Sequence, residues 1–166
     1  MSAQIKYGFN TAIGEAGGLV DLAPYVINSF ANEAATGAMK FGVGVVKGTA
    51  AGQQVKLPTA ESTAAHFEGI VVNRRTTEYD MEGKIHIRQN STVGVMRYGH
   101  IYGRVVAGVT PAYGDPVYMV KSGENAGYFT NVASGNLAIN ARFMGGFDAT
   151  AQIAAIELNA PIVTNA

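Results

Sequence analysis

A chain of 166 residues in which nearly half the side chains are apolar has the material for one packed domain, and little room for two. Twelve acidic and twelve basic residues cancel, so the basic excess by which nucleic-acid binders neutralise phosphate is missing. No cysteine is present, which removes disulfide frameworks, thiol catalysis and cysteine-ligated metals together.

Charged residues make up only 14% of the chain, against about a quarter in an ordinary soluble domain. A surface so sparse in charge suggests that neighbouring subunits cover part of it. The opening MSAQIKYGFN has no charged region followed by an apolar run, so it does not read as a signal peptide, and no apolar stretch approaches a membrane span. Residues 1–40 read as an N-terminal arm, extended or partly helical, preceding a β-barrel domain over residues 41–166. Within the arm, Tyr25–Ala35 is open to two readings. Val26, Ile27 and Phe30 share a helical face behind Pro24, or the segment is extended and drapes over a neighbour. Tyr7, Phe9, Leu19, Leu22, Tyr25 and Phe30 are the candidate partner contacts in this arm. On the arm reading, removal of Met1–Thr36 should leave a folded barrel.

The next stretch, Phe41–Pro58, is rich in glycine and contains Lys47, which invites a phosphate-loop reading. Lys47 precedes Gly48, the reverse of the order such a loop needs. The downstream residues are also wrong for it, because Val55 and Leu57 alternate with Gln54 and Lys56 as a strand would, where a phosphate site needs a helix N-terminus. The stretch predicts a hairpin, with Val43 and Val45 inside, Gly48 and Gly52 in the turn, and Lys47 in solvent.

Short strands then succeed one another. FEGIVV, KIHIRQ, TVGVMR, HIYGRVV, PVYMVK, GYFTNV, LAINARF and QIAAIEL are rich in β-branched or aromatic residues, and KIHIRQ and LAINARF alternate cleanly. Turns are predicted at Glu82–Lys84, Arg97–His100, Ala112–Pro116, Ser122–Gly127 and Ala133–Asn136. Gly69, Gly94 and Gly103 fall inside strands and fit bends or bulges. Regular strands joined by turns predict an all-β fold, a small barrel or barrel-like sandwich with at most one short helix.

None of the polar residues converges on a catalytic pattern. His66 and Glu68 would share a strand face and form a structural pair. His86 would lie on a solvated face and His100 beside a turn. Asp115, in Gly-Asp-Pro, should bond nearby amides and fix its turn. Arg74-Arg75, with Glu78 and Asp80 close behind, read as a solvated turn. Tyr98, Tyr102, Tyr113, Tyr118 and Tyr128 crowd the central third without interleaved basic residues, which favours core and interface use over stacking on single-stranded nucleic acid. A metal or a cofactor is not expected, and neither are nucleic-acid or membrane partners.

The ordered series KFGVGVVKG, VKLP, FEGIVV, TVGVMR, IYGRVVAGVTPAYGDPVYMV, GYFT and AAIEL resembles the structural cement, or head-decoration, proteins of tailed bacteriophages. The resemblance covers residues 41–158, and more weakly the arm, whose length departs from the minimal members. It implies a non-enzymatic virion protein, made in the bacterial cytoplasm, that binds the major capsid protein on the outer head surface and reinforces the lattice. It also implies self-association, with a homotrimer favoured. Two other readings stay open from the residues: a head–tail or tail component, and a small barrel that binds a carbohydrate or other ligand.

Overall fold

A computed structural model describes residues 13–73 and 86–159. Nine strands run in chain order: β1 (Val26–Asn32), β2 (Gly44–Lys47), β3 (Gln54–Lys56), β4 (Phe67–Val71), β5 (Thr92–Arg104), β6 (Pro116–Met119), β7 (Phe129–Thr130), β8 (Leu137–Asp148) and β9 (Ile153–Leu158). The helical element among the described residues is a single 3-10 turn, Ala64–His66.

Five strands close a ring. β1 pairs with β3 in parallel, β3 with β2, β2 with β4, β4 with β5, and β5 returns to β1. Alternation along each strand then sends every second side chain inward. Phe30, Val45, Val55, Val71, Val93 and Val95 come from all five strands and fill the barrel. The outward set includes Val46, Ile70 and Met96, which pack against a second sheet in a separate apolar cluster with Ile101, Met119, Phe129, Phe143 and Ile156. That sheet runs β5-β9-β8-β6-β7 and curls until Val105, just past β5, meets Phe129 of β7.

The all-β reading holds, and most strands lie where alternation placed them. Phe41–Pro58 is the hairpin β2–β3, with Val43 and Val45 buried and Lys47 exposed. Its turn is pinned by Glu33, which accepts from the Thr49 amide at 2.6 Å and the Thr49 hydroxyl at 2.8 Å. Those two bonds, the amide first, hold the Glu33 carboxyl below its ordinary pKa.

Three expectations need correction. Tyr25–Ala35 takes the extended one of its two readings, but not as an arm over a neighbour: Val26–Asn32 is a strand of the barrel, paired with β5 from Val26↔Tyr98 to Ala31↔Thr92. Spacing of Val26, Ile27 and Phe30 suits either conformation, and the long-range pairing decides. The segment before Phe41 therefore supplies a barrel strand, and removing Met1–Thr36 would open the ring. Second, Arg97–His100 is no turn. β5 continues through it, passing from barrel to second sheet where pairing changes from Tyr98 with Val26 to Gly99 with Leu158. Gly99 carries the change at φ +119, a conformation that side chains rarely adopt. Third, His86–Arg88 of KIHIRQ form no strand, although Ile87 is buried against the barrel interior. Its amide neighbourhood is tied across the fold, with the Gly37 N–H donating to the Ile87 carbonyl at 3.0 Å. Lys84, Ile85, the turn at Glu82–Lys84, Arg74-Arg75, Glu78 and Asp80 lie outside the described residues.

Candidate interface

Gly17–Val20 runs beside the second half of β5 as a strap. Tyr102 accepts from the Gly17 amide at 2.7 Å and donates to the Gly18 carbonyl at 2.9 Å, and the Val20 amide donates to the His100 carbonyl at 3.2 Å. Leu19 bridges Ile101. Beyond it the chain turns at Asp21, whose carboxylate accepts from the Ala23 amide at 3.0 Å, and then enters β1. Large apolar side chains are exposed along this part of the chain: Leu19, Leu22, Tyr25, Val26 and, across the ladder from Val26, Tyr98. Leu22 is 93% exposed. Exposed apolar side chains gathered in one stretch are a common mark of a contact surface.

Next to this stretch lies a row of charge. His100, Glu157 and Arg142 are cross-strand neighbours on β5, β9 and β8, so their side chains emerge on one face. Asp21 joins from the strap, 2.7 Å from His100 Nδ1, while Glu157 lies 3.9 Å from His100 Nε2. Arg142 donates its Nε–H to Glu157. The row reads carboxylate, imidazole, carboxylate, guanidinium, with side chains between 21% and 51% exposed. The His100 bond, then the Ala23 amide, keeps Asp21 below the usual carboxylate range, and Glu157 raises Arg142 above its ordinary value. Tyr113 stands at the far end, exposed, beside Gly145 and close enough to Arg142 to favour its charge.

Of the residues singled out in the sequence, Leu19, Leu22 and Tyr25 are exposed in this stretch. Phe30 is not, and its assignment as a contact is corrected: at 5% exposure it is enclosed in the barrel, opposite Val93. Tyr7 and Phe9 fall outside the described residues. Tyr98 and Tyr113 belong to the tyrosine group expected to serve core and interface, and both are exposed; Val26 as a surface residue and the charged row were not anticipated. Tyr98, His100 and Tyr102 alternate, a signal hidden by reading a turn at Arg97–His100. Glu157 is the single charge in an otherwise apolar strand, and that was a second available cue.

The remaining polar residues serve the fold. His66 Nδ1 caps its own 3-10 turn through the Thr63 amide at 3.3 Å, and Glu68 faces Arg97 at 3.6 Å, so the two do not pair with each other. His86 is half-buried against Gly37. Asp115 Oδ2 accepts from Asn131 at 2.8 Å and from the Ala112 amide at 2.9 Å, tying its turn to the loop after β7 and holding the carboxyl below its usual range. Among the described residues, no group of three or more histidines and carboxylates could hold a metal ion, and no helix is long and apolar enough to cross a membrane.

The sequence profile of a family described as "Structural cement protein (E217 gp24/Pam3 gp6)" matches residues 3–159. No curated protein sequence matches the chain. Among solved structures, a chain from "The capsid of Myoviridae Phage XM1" superposes with a TM-score of 0.70 at 21% identity, covering 96% of this chain and 98% of that one. At that identity the likeness speaks to the fold.

Proposed function

This chain belongs to the structural cement protein family, and from that premise we propose how it grips a capsid. As a member it is a capsid cement protein, a structural component of the phage virion. Its partner is the major capsid protein, met on the outer surface of a head assembled in the host cytoplasm. It acts by burying surface between capsomers and turns over no substrate.

The observation that carries this reading is the exposure of Leu19 on the strap bonded to β5, of Leu22 and Tyr25 just after it, and of Val26 on β1 and Tyr98 on β5. Burying these side chains against the shell supplies affinity, less about 0.5–1.5 kcal/mol for each side chain that contact immobilises. Fully burying a leucine or an aromatic contributes about 1.5–3 kcal/mol. One such set of residues makes a modest contact. Many copies on one lattice add up, because a shell held at many points opens only if many contacts fail together. Copies that also associate with one another would strengthen that effect.

The test is binding of purified chain to expanded capsids stripped of cement. Wild-type protein should bind stoichiometrically and raise the temperature at which the shells disrupt. Leu22→Asp and Tyr25→Asp should each weaken binding about tenfold to hundredfold, the range of an interface anchor, while the free protein melts as before. Undiminished binding by both variants would rule out this surface as the shell contact.

A further inference from the structure

We propose that the charged row is a self-complementary contact through which two copies of this chain pair in solution about a two-fold axis. The row holds Asp21, His100, Glu157 and Arg142 in that order across four adjacent stretches of chain: the strap, β5, β9 and β8. Neighbouring strands in a sheet lie about 4.8 Å apart, so the four groups form a nearly regular line. A two-fold interface brings one patch against its own copy, so the patch must complement itself.

This row does so in one orientation. An axis lying between the facing sheets and parallel to the strands, passing between His100 and Glu157, reverses the row on the second copy. Asp21 then faces the second copy's guanidinium, and His100 faces its Glu157 carboxylate, with the same two contacts repeated by symmetry. An axis along the row would set Asp21 against Asp21 and Glu157 against Glu157, and charge selects against it.

The surroundings agree. Ile13 lies near Gly146 and Gly14 against the Tyr102 ring, on the part of the sheet next to the row. Exposed apolar groups stand at both ends, Leu22 and Tyr25 beyond Asp21 and Tyr113 beside Arg142. Reversal places Tyr113 of one copy near the exposed apolar stretch of the other. The two stretches then sit at opposite ends of the pair, giving a two-handed grip on a lattice. That last consequence rests on the shell-binding reading; the pairing itself does not. The threefold grouping implied by resemblance would present the row to a different surface and gains nothing from its self-complementarity.

Sedimentation equilibrium on the purified full chain, without shells, tests the pairing. Wild-type protein should show a dimer mass. Arg142→Asp leaves carboxylates at both ends of the row, and Asp21→Arg leaves guanidinium groups at both ends, so each variant alone should lose roughly a hundredfold or more in self-association. Mixed in equal amounts, the two variants oppose unlike charges at both ends, and dimers should return. A wild-type mass that stays monomeric up to about 100 μM, far above the dissociation constant of a standard interface, would overturn the proposal. So would a trimer mass, or a mixture of folded variants that fails to associate. If Asp21→Arg does not fold, Arg142→Asp alone decides: wild-type dimer strength in that variant refutes the pairing.

Discussion

Replacing Gly69 by alanine tests how the barrel closes. Gly69 lies in β4 at φ +144, where the β2–β4 register slips between Val45 and Val46. A β-carbon there would stand 2.1 Å from the Met96 carbonyl oxygen and 2.8 Å from a Val95 methyl. Two penalties result. The backbone conformation strains an alanine by about 1–3 kcal/mol. The collision is with the main chain of β5, which cannot swing aside as a flexible side chain would, and overpacking of this kind costs about 1–3 kcal/mol more. Their sum, roughly 2–6 kcal/mol, is a large part of the 5–15 kcal/mol that stabilises a typical domain. At about 2–4 °C per kcal/mol for a chain of this size, the midpoint should fall by roughly 5–20 °C. Gly52→Ala is the control, because its φ is +79 with no atom within 4 Å of the added carbon, so only the strain of about 1–2 kcal/mol remains. Urea unfolding followed by circular dichroism measures both. If the two variants agree within about 0.5 kcal/mol, well inside the added contact cost, the close approach of β4 to β5 is not what demands glycine.

Deleting Met1–Thr36 should abolish cooperative unfolding, since β1 closes the ring and carries Phe30 into the barrel core; a sharp melt near the full-length midpoint would show that the ring does not need this strand. Asp115→Asn should destabilise the protein at neutral pH and lose that effect in acid. The folded Asp115 has a lowered pKa, so its contribution is complete above the ordinary carboxylate range and disappears as pH falls through the folded value. Thermal melts of both proteins from about pH 7 to pH 3 should converge, and a constant gap across that range would remove Asp115 as the cause.

How much of this was legible beforehand depends on the range over which each feature is determined. LAINARF shows its pattern locally, and Leu137, Ile139, Ala141 and Phe143 do lie on the more buried side of β8. The inverted Lys47-Gly48 order and the alternation at Val55 and Leu57 were enough to reject a phosphate loop. Asp115 was legible as a turn anchor, although its partner Asn131, sixteen residues on, was not. Of the interface, Leu19, Leu22 and Tyr25 were visible as apolar residues in a segment without a clear core pattern. Phe30 looked the same as they did, and only the barrel separates them.

The sequence by itself determined that this is an all-β chain, where most strands fall, and several of the turns that glycine serves, such as Ala112–Pro116 and Ser122–Gly127. These come from side-chain alternation and turn chemistry, which act over a few residues. Tertiary structure alone decided that Val26–Asn32 is a strand, that β5 runs unbroken through Gly99 to serve two sheets, and that Phe30 points inward while Tyr25 points out. It also assembled Asp21, His100, Glu157 and Arg142, which are spread over most of the chain, into one row. Ring closure and cross-strand register are contacts between distant segments. Their free energy belongs to the pairing, and no local stretch contains it.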